Sequence, residues 1–214
     1  MKKESQKQYW NNVADNKEFT TQLDIDLLSK YLDNESLIVD YGCGYGRTLN
    51  ELYLMGYKNT IGFDFSTKMI ERGKREFPFL DLRVSMDNMI DFNSNSVDSV
   101  ILFAVLTCII DDETQINLIE EIQRVLKPGG IIYINDFLVN ENERNMKRYN
   151  NFLSKYNKYG VFELEEGALL RHHKEEWINK LTSMFTKEEY KKIVFRTMNG
   201  HISNGFVFIG SKKK

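Results

Sequence analysis

The chain is predicted to fold as an α/β protein, a doubly wound sheet whose strands run parallel and carry helices on both faces. Three features point that way. Short apolar runs alternate with segments of helical spacing between residues 37 and 134. The fourth run, 97–103, is apolar enough to lie between two helical layers. The first run opens directly into Gly42-Cys43-Gly44-Tyr45-Gly46, a glycine turn that leads into an amphipathic segment.

Residues 23–32 show helical spacing through Leu23, Leu27, Leu28 and Tyr31. The first strand, 37–39, and the glycine turn follow, and Leu49, Leu52 and Met55 share one face of the next helix. A second strand is expected at 60–63, ending at Asp64, and a helix at 67–77 closed by Pro78. The third strand is expected at 82–85. The turn cluster Asn93-Ser94-Asn95-Ser96 precedes the fourth. Ile116, Ile119, Ile122, Val125 and Leu126 give 113–126 a helical period, which Pro128-Gly129-Gly130 ends before a fifth strand at 131–134.

From 138 to 186 the rhythm breaks. The charged stretch 141–158 reads as an amphipathic helix, 161–170 as a small hairpin around Glu166-Gly167, and the segment carrying Trp177, Ile178, Leu181, Met184 and Phe185 as another helix. Such an excursion is too long for an ordinary connection and reads as an insertion between strands five and six. A helix at 187–192, a strand at 193–197 and a last strand at 205–210 then close the chain, which reads as a single domain over 1–214.

Composition sets limits. A chain of 214 residues with 42% hydrophobic and 28% charged residues can bury an ordinary core. A net charge of −2 gives no electrostatic case for a nucleic-acid partner. No apolar stretch approaches the length of a membrane span, and the polar start Met1-Lys2-Lys3-Glu4-Ser5-Gln6 lacks a signal-peptide core. Two cysteines, Cys43 and Cys108, suggest no disulfide framework, so a cytoplasmic enzyme without a membrane partner is expected.

The run Val39-Asp40-Tyr41-Gly42-Cys43-Gly44-Tyr45-Gly46-Arg47 has the spacing G-x-G-x-G, not the G-x-G-x-x-G of dinucleotide sites. With Asp64-Phe65-Ser66 and Met69 after the second strand, and Leu126-Lys127-Pro128-Gly129-Gly130 before the fifth, it resembles the class I S-adenosylmethionine (SAM)-dependent methyltransferases. The resemblance covers about 37–137 and returns in the last twenty-five residues. It implies a Rossmann-like methyltransferase fold: a mostly parallel seven-stranded sheet with helices on both faces and a reversed last hairpin. It also implies SAM as cofactor and a substrate cap at 138–186. In that family the residues matching Asp40, Gly42, Gly44 and Gly46 hold the amino-acid end of SAM, and the one matching Asp64 takes the ribose hydroxyls. Cys43 and Arg47 sit within the same turn; Arg47 is placed either on the cofactor carboxylate or in solvent. Phe65 and Met69 offer apolar surface to the adenine, and Met86, Asp87 and Asn88 follow the third strand where the adenine amine is met. Backbone contacts from Phe103 and Ala104 are expected beyond the fourth strand, although the family's polar or aromatic motif is replaced there by apolar residues. Tyr9 and Trp10 resemble a lid helix within 1–22, with Phe19 helping to close it; packing on the core is the competing reading.

Methyl transfer needs placement of a nucleophile more than a fixed catalytic triad. His172 and His173 fall in the expected cap, where one can act as general base or substrate anchor. Adjacent residues on a strand end point in opposite directions, so at most one faces a pocket. No ligand spacing for a metal is present. The expected activity is therefore methyl transfer to O, N or C of a small molecule, without a nucleic-acid partner. The alternatives are a SAM-binding module without catalysis, aminopropyl transfer on the same fold, and an NAD-dependent oxidoreductase.

Overall fold

In the computed structural model, which describes residues 2–85, 89–196 and 200–214, the expected alternation forms one sheet. The helix α1 (Lys2–Val13) and the single turn α2 (Ile25–Leu28) precede β1 (Ile38–Tyr41), α3 (Arg47–Leu54), β2 (Thr60–Asp64), α4 (Thr67–Glu76) and β3 (Asp81–Val84). After these come β4 (Val97–Phe103), a 3₁₀ turn at Leu106–Cys108, α5 (Asp112–Val125) and β5 (Leu126–Phe137). The remainder is α6 (Glu143–Tyr156), β6 (Val161–Glu163), β7 (Leu169–Arg171), α7 (Glu175–Leu181), β8 (Phe185–Arg196) and β9 (Ile202–Lys212). The sheet order is β3-β2-β1-β4-β5-β9-β8, parallel from β3 to β5, with β9 antiparallel to both neighbours.

The continuous apolar runs follow from burial on both faces. Val39, Val100, Leu102, Ile132 and Ile134 pack on one side against Leu118, Ile119 and Ile122 of α5. Their chain neighbours Ile38, Ile101, Ile131 and Tyr133 belong to the opposite cluster, with Leu49 and Leu52 of α3 and Ile70 of α4. The order reverses between β1 and β4, and in doubly wound sheets a crevice opens at the carboxyl ends of the strands beside such a reversal.

Three elements differ from expectation. Residues 187–192 are not helical: they belong to β8, which pairs with β9 from Phe185↔Lys212 to Arg196↔Ile202. Lys187, Glu188, Glu189, Lys191 and Lys192 are good helix formers, but the unpaired edge of β9 overrides that preference, and charge on the new edge strand discourages further pairing. The fifth strand begins earlier, at Leu126, which pairs with Val97; Lys127 to Gly130 then bulge out before the ladder resumes at Ser99↔Ile131. The 23–32 helix is only the turn α2, capped by Asp24, whose carboxylate accepts from Leu27 N at 3.0 Å. Thr197, the expected end of the sixth strand, lies outside the described residues. Between β5 and β8 stand α6, the antiparallel pair β6–β7 and α7, where an insertion was expected. No helix among the described residues is long and apolar enough to cross a membrane.

The N-terminal segment is tied to α4. Asn11 Oδ1 accepts from Ser66 Oγ at 2.8 Å and from Lys68 N at 3.2 Å. Arg72, 5% exposed, donates to Ala14 O at 2.9 Å and Lys17 O at 2.7 Å, and it pairs with Glu18 and Glu76. Its guanidinium lies 3.8 Å from the Tyr45 ring centroid, so one side chain joins α4, the 13–18 turn and the glycine turn. Arg72→Ala leaves two carbonyls and Glu18 without their donor. It is expected to weaken local attachment of residues 2–20 by about 2 kcal/mol, read as roughly thirtyfold faster amide exchange there with the sheet core unchanged. Unchanged exchange over that segment would refute the clamp.

Candidate active site

The glycine turn is shaped from inside the fold. Gly42 N and Cys43 N both donate to Phe63 O, at 2.7 and 3.0 Å, which bends the chain sharply after β1. Gly42 and Gly44 have φ of 81° and 56°, in the left-handed region that favours glycine. A Cβ on Gly42 would lie 2.6 Å from Val105 Cγ2, and one on Gly44 would lie 3.0 Å from the Phe19 ring. Both peptide faces therefore stay bare beside a cavity lined by Asp40, Gly42, Cys43, Gly44, Arg47, Thr48 and Asp64. Gly46 serves differently, as the left-handed N-cap of α3, and is not part of the lining.

The two carboxylates of the turn are not equivalent. Asp64 is used by the backbone: Oδ2 accepts from Gly44 N at 2.9 Å and Oδ1 from Ser66 N at 2.7 Å. Burial pushes its pKa up to about 6, against the lowering effect of those two N–H groups. Asp40 is 1% exposed, and among the described residues neither of its oxygens has a hydrogen-bond partner. Burial and then the charge of Asp64 push it up to about 7, with Arg47 acting in the opposite sense. Arg47 is no solvent residue. It pairs with Glu51 and donates to Thr21 O, and its guanidinium lies 5.8 Å from the Phe103 ring centroid. Cys43 and Cys108 also line the cavity, and burial holds both thiols protonated.

Trp10 and Phe19 form part of the wall, together with Phe65, Met69, Phe103 and Ala104. Ala104 adopts φ of 56°, unusual for a residue with a side chain, while its N–H is held by Asn135 O at 2.8 Å. Tyr9 departs from expectation. It is buried edge-on against Trp10, with Lys17 Nζ 3.2 Å from its hydroxyl, and it is outside the lining. This is the core-packing alternative weighed for that helix. Met86, Asp87 and Asn88 lie outside the described residues.

The same cavity extends to the segment between β5 and β8, through Arg144, Asn145, Arg148, Phe162, Leu170 and His172. The two histidines separate. His173 is fully buried away from the cavity: its Nδ1 donates to Phe137 O at 3.3 Å and its Nε2 lies 2.9 Å from Gln115 Nε2. Trp177 fixes that glutamine by donating to Oε1 at 2.7 Å, so the amide donates to His173, whose pKa burial pushes down to about 3. It knits β5, α5 and α7 together and does not reach the cavity. His172 does line it, but as a neutral ring, because burial first, and then Arg148, hold it well below its ordinary range. Asn204 N donates to Asn140 Oδ1 at 2.7 Å, leaving Asn140 Nδ2 to face His172 Nδ1 at 3.2 Å, with Tyr149 Oη 2.7 Å from the same nitrogen. Nδ1 is thus the acceptor and the proton sits on Nε2. A ring so arranged donates a hydrogen bond instead of removing a proton. The sequence reading missed Arg144, Asn145 and Arg148; the i, i+4 spacing of the two arginines on a charged helix was the available signal.

Known proteins place this arrangement. The family described as "Methyltransferase domain" matches residues 39–134, the stretch from the glycine turn to β5. N-demethylindolmycin N-methyltransferase of Streptomyces griseus is 29% identical over 105 residues, covering 48% of this chain and 44% of that protein. A tRNA N(3)-cytidine methyltransferase of Bos taurus is 31% identical over 111 residues, covering 47% and 29%. These matches thus span less than half of either relative's own length. Among solved structures, a SAM-dependent methyltransferase of Methanosarcina mazei superposes with a TM-score of 0.84 at 24% identity, covering 90% of this chain and 99% of that one. At that identity the likeness speaks for the fold.

Proposed function

We propose that the chain is a class I SAM-dependent methyltransferase, which transfers a methyl group from SAM to an O, N or C nucleophile of a small molecule. One observation carries the reading: Asp40, a buried carboxylate beside the bare glycine turn, has two oxygens without a hydrogen-bond partner among the described residues. An ionised carboxylate in that position calls for a cationic donor, and the α-ammonium of SAM is one. Gly42 and Gly44 leave room for the rest of the amino-acid moiety, and the donor set fits the cofactor.

Bound there, SAM supplies an electrophilic methyl on a sulfonium. Asp40 would hold the ammonium, and Asp64, whose oxygens retain lone pairs beyond the two backbone bonds, would accept from the ribose hydroxyls. Phe65 and Met69 would flank the adenine, while Trp10 and Phe19 exclude water as a lid over 1–22. The segment 138–186 would cap the acceptor. Phe103, Ala104 and Thr107 line the cavity between these regions and would keep the nucleophile in line. His172 is arranged as a donor and not as a base, so positioning would supply most of the rate, up to roughly 7–11 kcal/mol. A small acceptor is favoured because the cap-side wall is built from α6, the β6–β7 hairpin and the start of β9.

Calorimetric titration with SAM, S-adenosylhomocysteine and NADH tests the proposal. Micromolar binding of both adenosyl compounds and no response to NADH is expected, followed by turnover on a panel of small nucleophiles. Preference for decarboxylated SAM would move the reading to aminopropyl transfer; binding of NADH alone would overturn it.

A further inference from the structure

The cap-side wall carries charge that the methyl transfer itself does not require. Arg144 and Arg148 both line the cavity from α6. Among the described residues neither is in an ion pair, and the two carboxylates lining the cavity, Asp40 and Asp64, both belong to the glycine-turn end of the site. Arg148 stacks over Phe162, with its guanidinium carbon 3.6 Å from the ring centroid, and its Nε is buried without a partner among the described residues. Packing on one face of a planar guanidinium leaves its edge as the binding direction, which suits two parallel bonds to a carboxylate. Burial holds Arg148 below its ordinary range, against a hydrogen bond to Tyr149 and with Arg144 acting in the same sense as burial, so a counter-charge there relieves a standing cost. His172 adds a donor, since its proton is confined to Nε2 by Asn140 and Tyr149. The surrounding surface is apolar and aromatic, from Phe162 and Leu170.

We infer that the methyl acceptor is a small aromatic carboxylate, its carboxylate on Arg148 with Arg144 beside it, its ring on the apolar surface of the cap. This rests on the methyltransferase reading and narrows its substrate class.

The test uses 4-hydroxybenzoate and its neutral partner 4-hydroxybenzamide as probes of the full chain saturated with S-adenosylhomocysteine, followed by ligand-observed NMR. The acid is expected to bind at least tenfold more tightly than the amide. Arg148→Gln should abolish that preference and Arg144→Gln should reduce it, both with homocysteine-adenosyl binding intact. Arg83→Gln, at an exposed residue paired with Asp81, should change nothing. Arg144 sits on the exposed face of its helix, so that variant reports even where Arg148→Gln fails to fold. Equal binding of acid and amide, no binding of either, or a preference that survives both variants would overturn the inference and leave the methyltransferase reading standing. An acid preference in a protein that does not bind S-adenosylhomocysteine would instead retain the anion site and overturn the methyltransferase reading.

Discussion

Asp40→Asn is expected to lose SAM binding by at least a hundredfold at pH 7 and, at the same time, to stabilise the ligand-free protein at alkaline pH. The binding loss follows from removing a buried carboxylate that has no partner of its own among the described residues; a charged pair of that kind contributes on the order of 3 kcal/mol when one side is deleted. The stability gain follows from linkage. The carboxyl holds its proton more tightly in the folded chain, at about 7, than in the unfolded chain, near 3.8. Between those two values the unfolded chain releases its proton first, so wild-type stability falls as pH rises and levels off above pH 7. Asparagine has no proton to lose. The advantage of the variant in urea unfolding should therefore be roughly 1–3 kcal/mol larger at pH 8 than at pH 5. Saturating SAM should reverse the order at pH 8 by stabilising only the wild type. A variant that unfolds with the same pH dependence as the wild type would show that Asp40 is not the buried, unpaired group described.

How much of this was legible depended on where each signal is written. The parallel sheet announced itself because strands covered on both faces must be apolar at successive positions, as at 97–103 and 131–134. The glycine turn and both its carboxylates were legible because backbone conformation and strand ends are local properties. β8 was not: its Lys and Glu residues favour a helix locally, and only the long-range partner β9 makes them a strand. The cap-side site was hidden for the same reason. Arg148, Phe162 and His172 come from three separate elements, and no local pattern says that they meet. Tyr149 read as one apolar residue of a helix, yet its hydroxyl sets the tautomer of a histidine 23 residues away. His172 and His173 were separable in principle by strand alternation, but which of them faced the cavity required the fold.

Asp64→Ala should be the most damaging single change in the cofactor half, because this carboxylate has two tasks. It fixes the glycine turn through Gly44 N and Ser66 N, and in the proposed function it also receives the ribose hydroxyls. Removing it strands two buried N–H groups, each worth roughly 1–3 kcal/mol, so S-adenosylhomocysteine binding should weaken by more than a hundredfold. Loss of affinity alone cannot distinguish a ribose contact from a collapsed turn. A double-mutant cycle can. Wild-type protein should bind S-adenosylhomocysteine at least tenfold more tightly than its 2′,3′-dideoxy analogue, and Asp64→Ala should bind the two equally. Asp64→Asn keeps one acceptor oxygen and the shape of the side chain, so it serves where the alanine variant is too unstable to titrate. It should show a reduced but measurable discrimination. If either variant still prefers the hydroxylated cofactor by the full wild-type factor, Asp64 shapes the turn and another group meets the ribose.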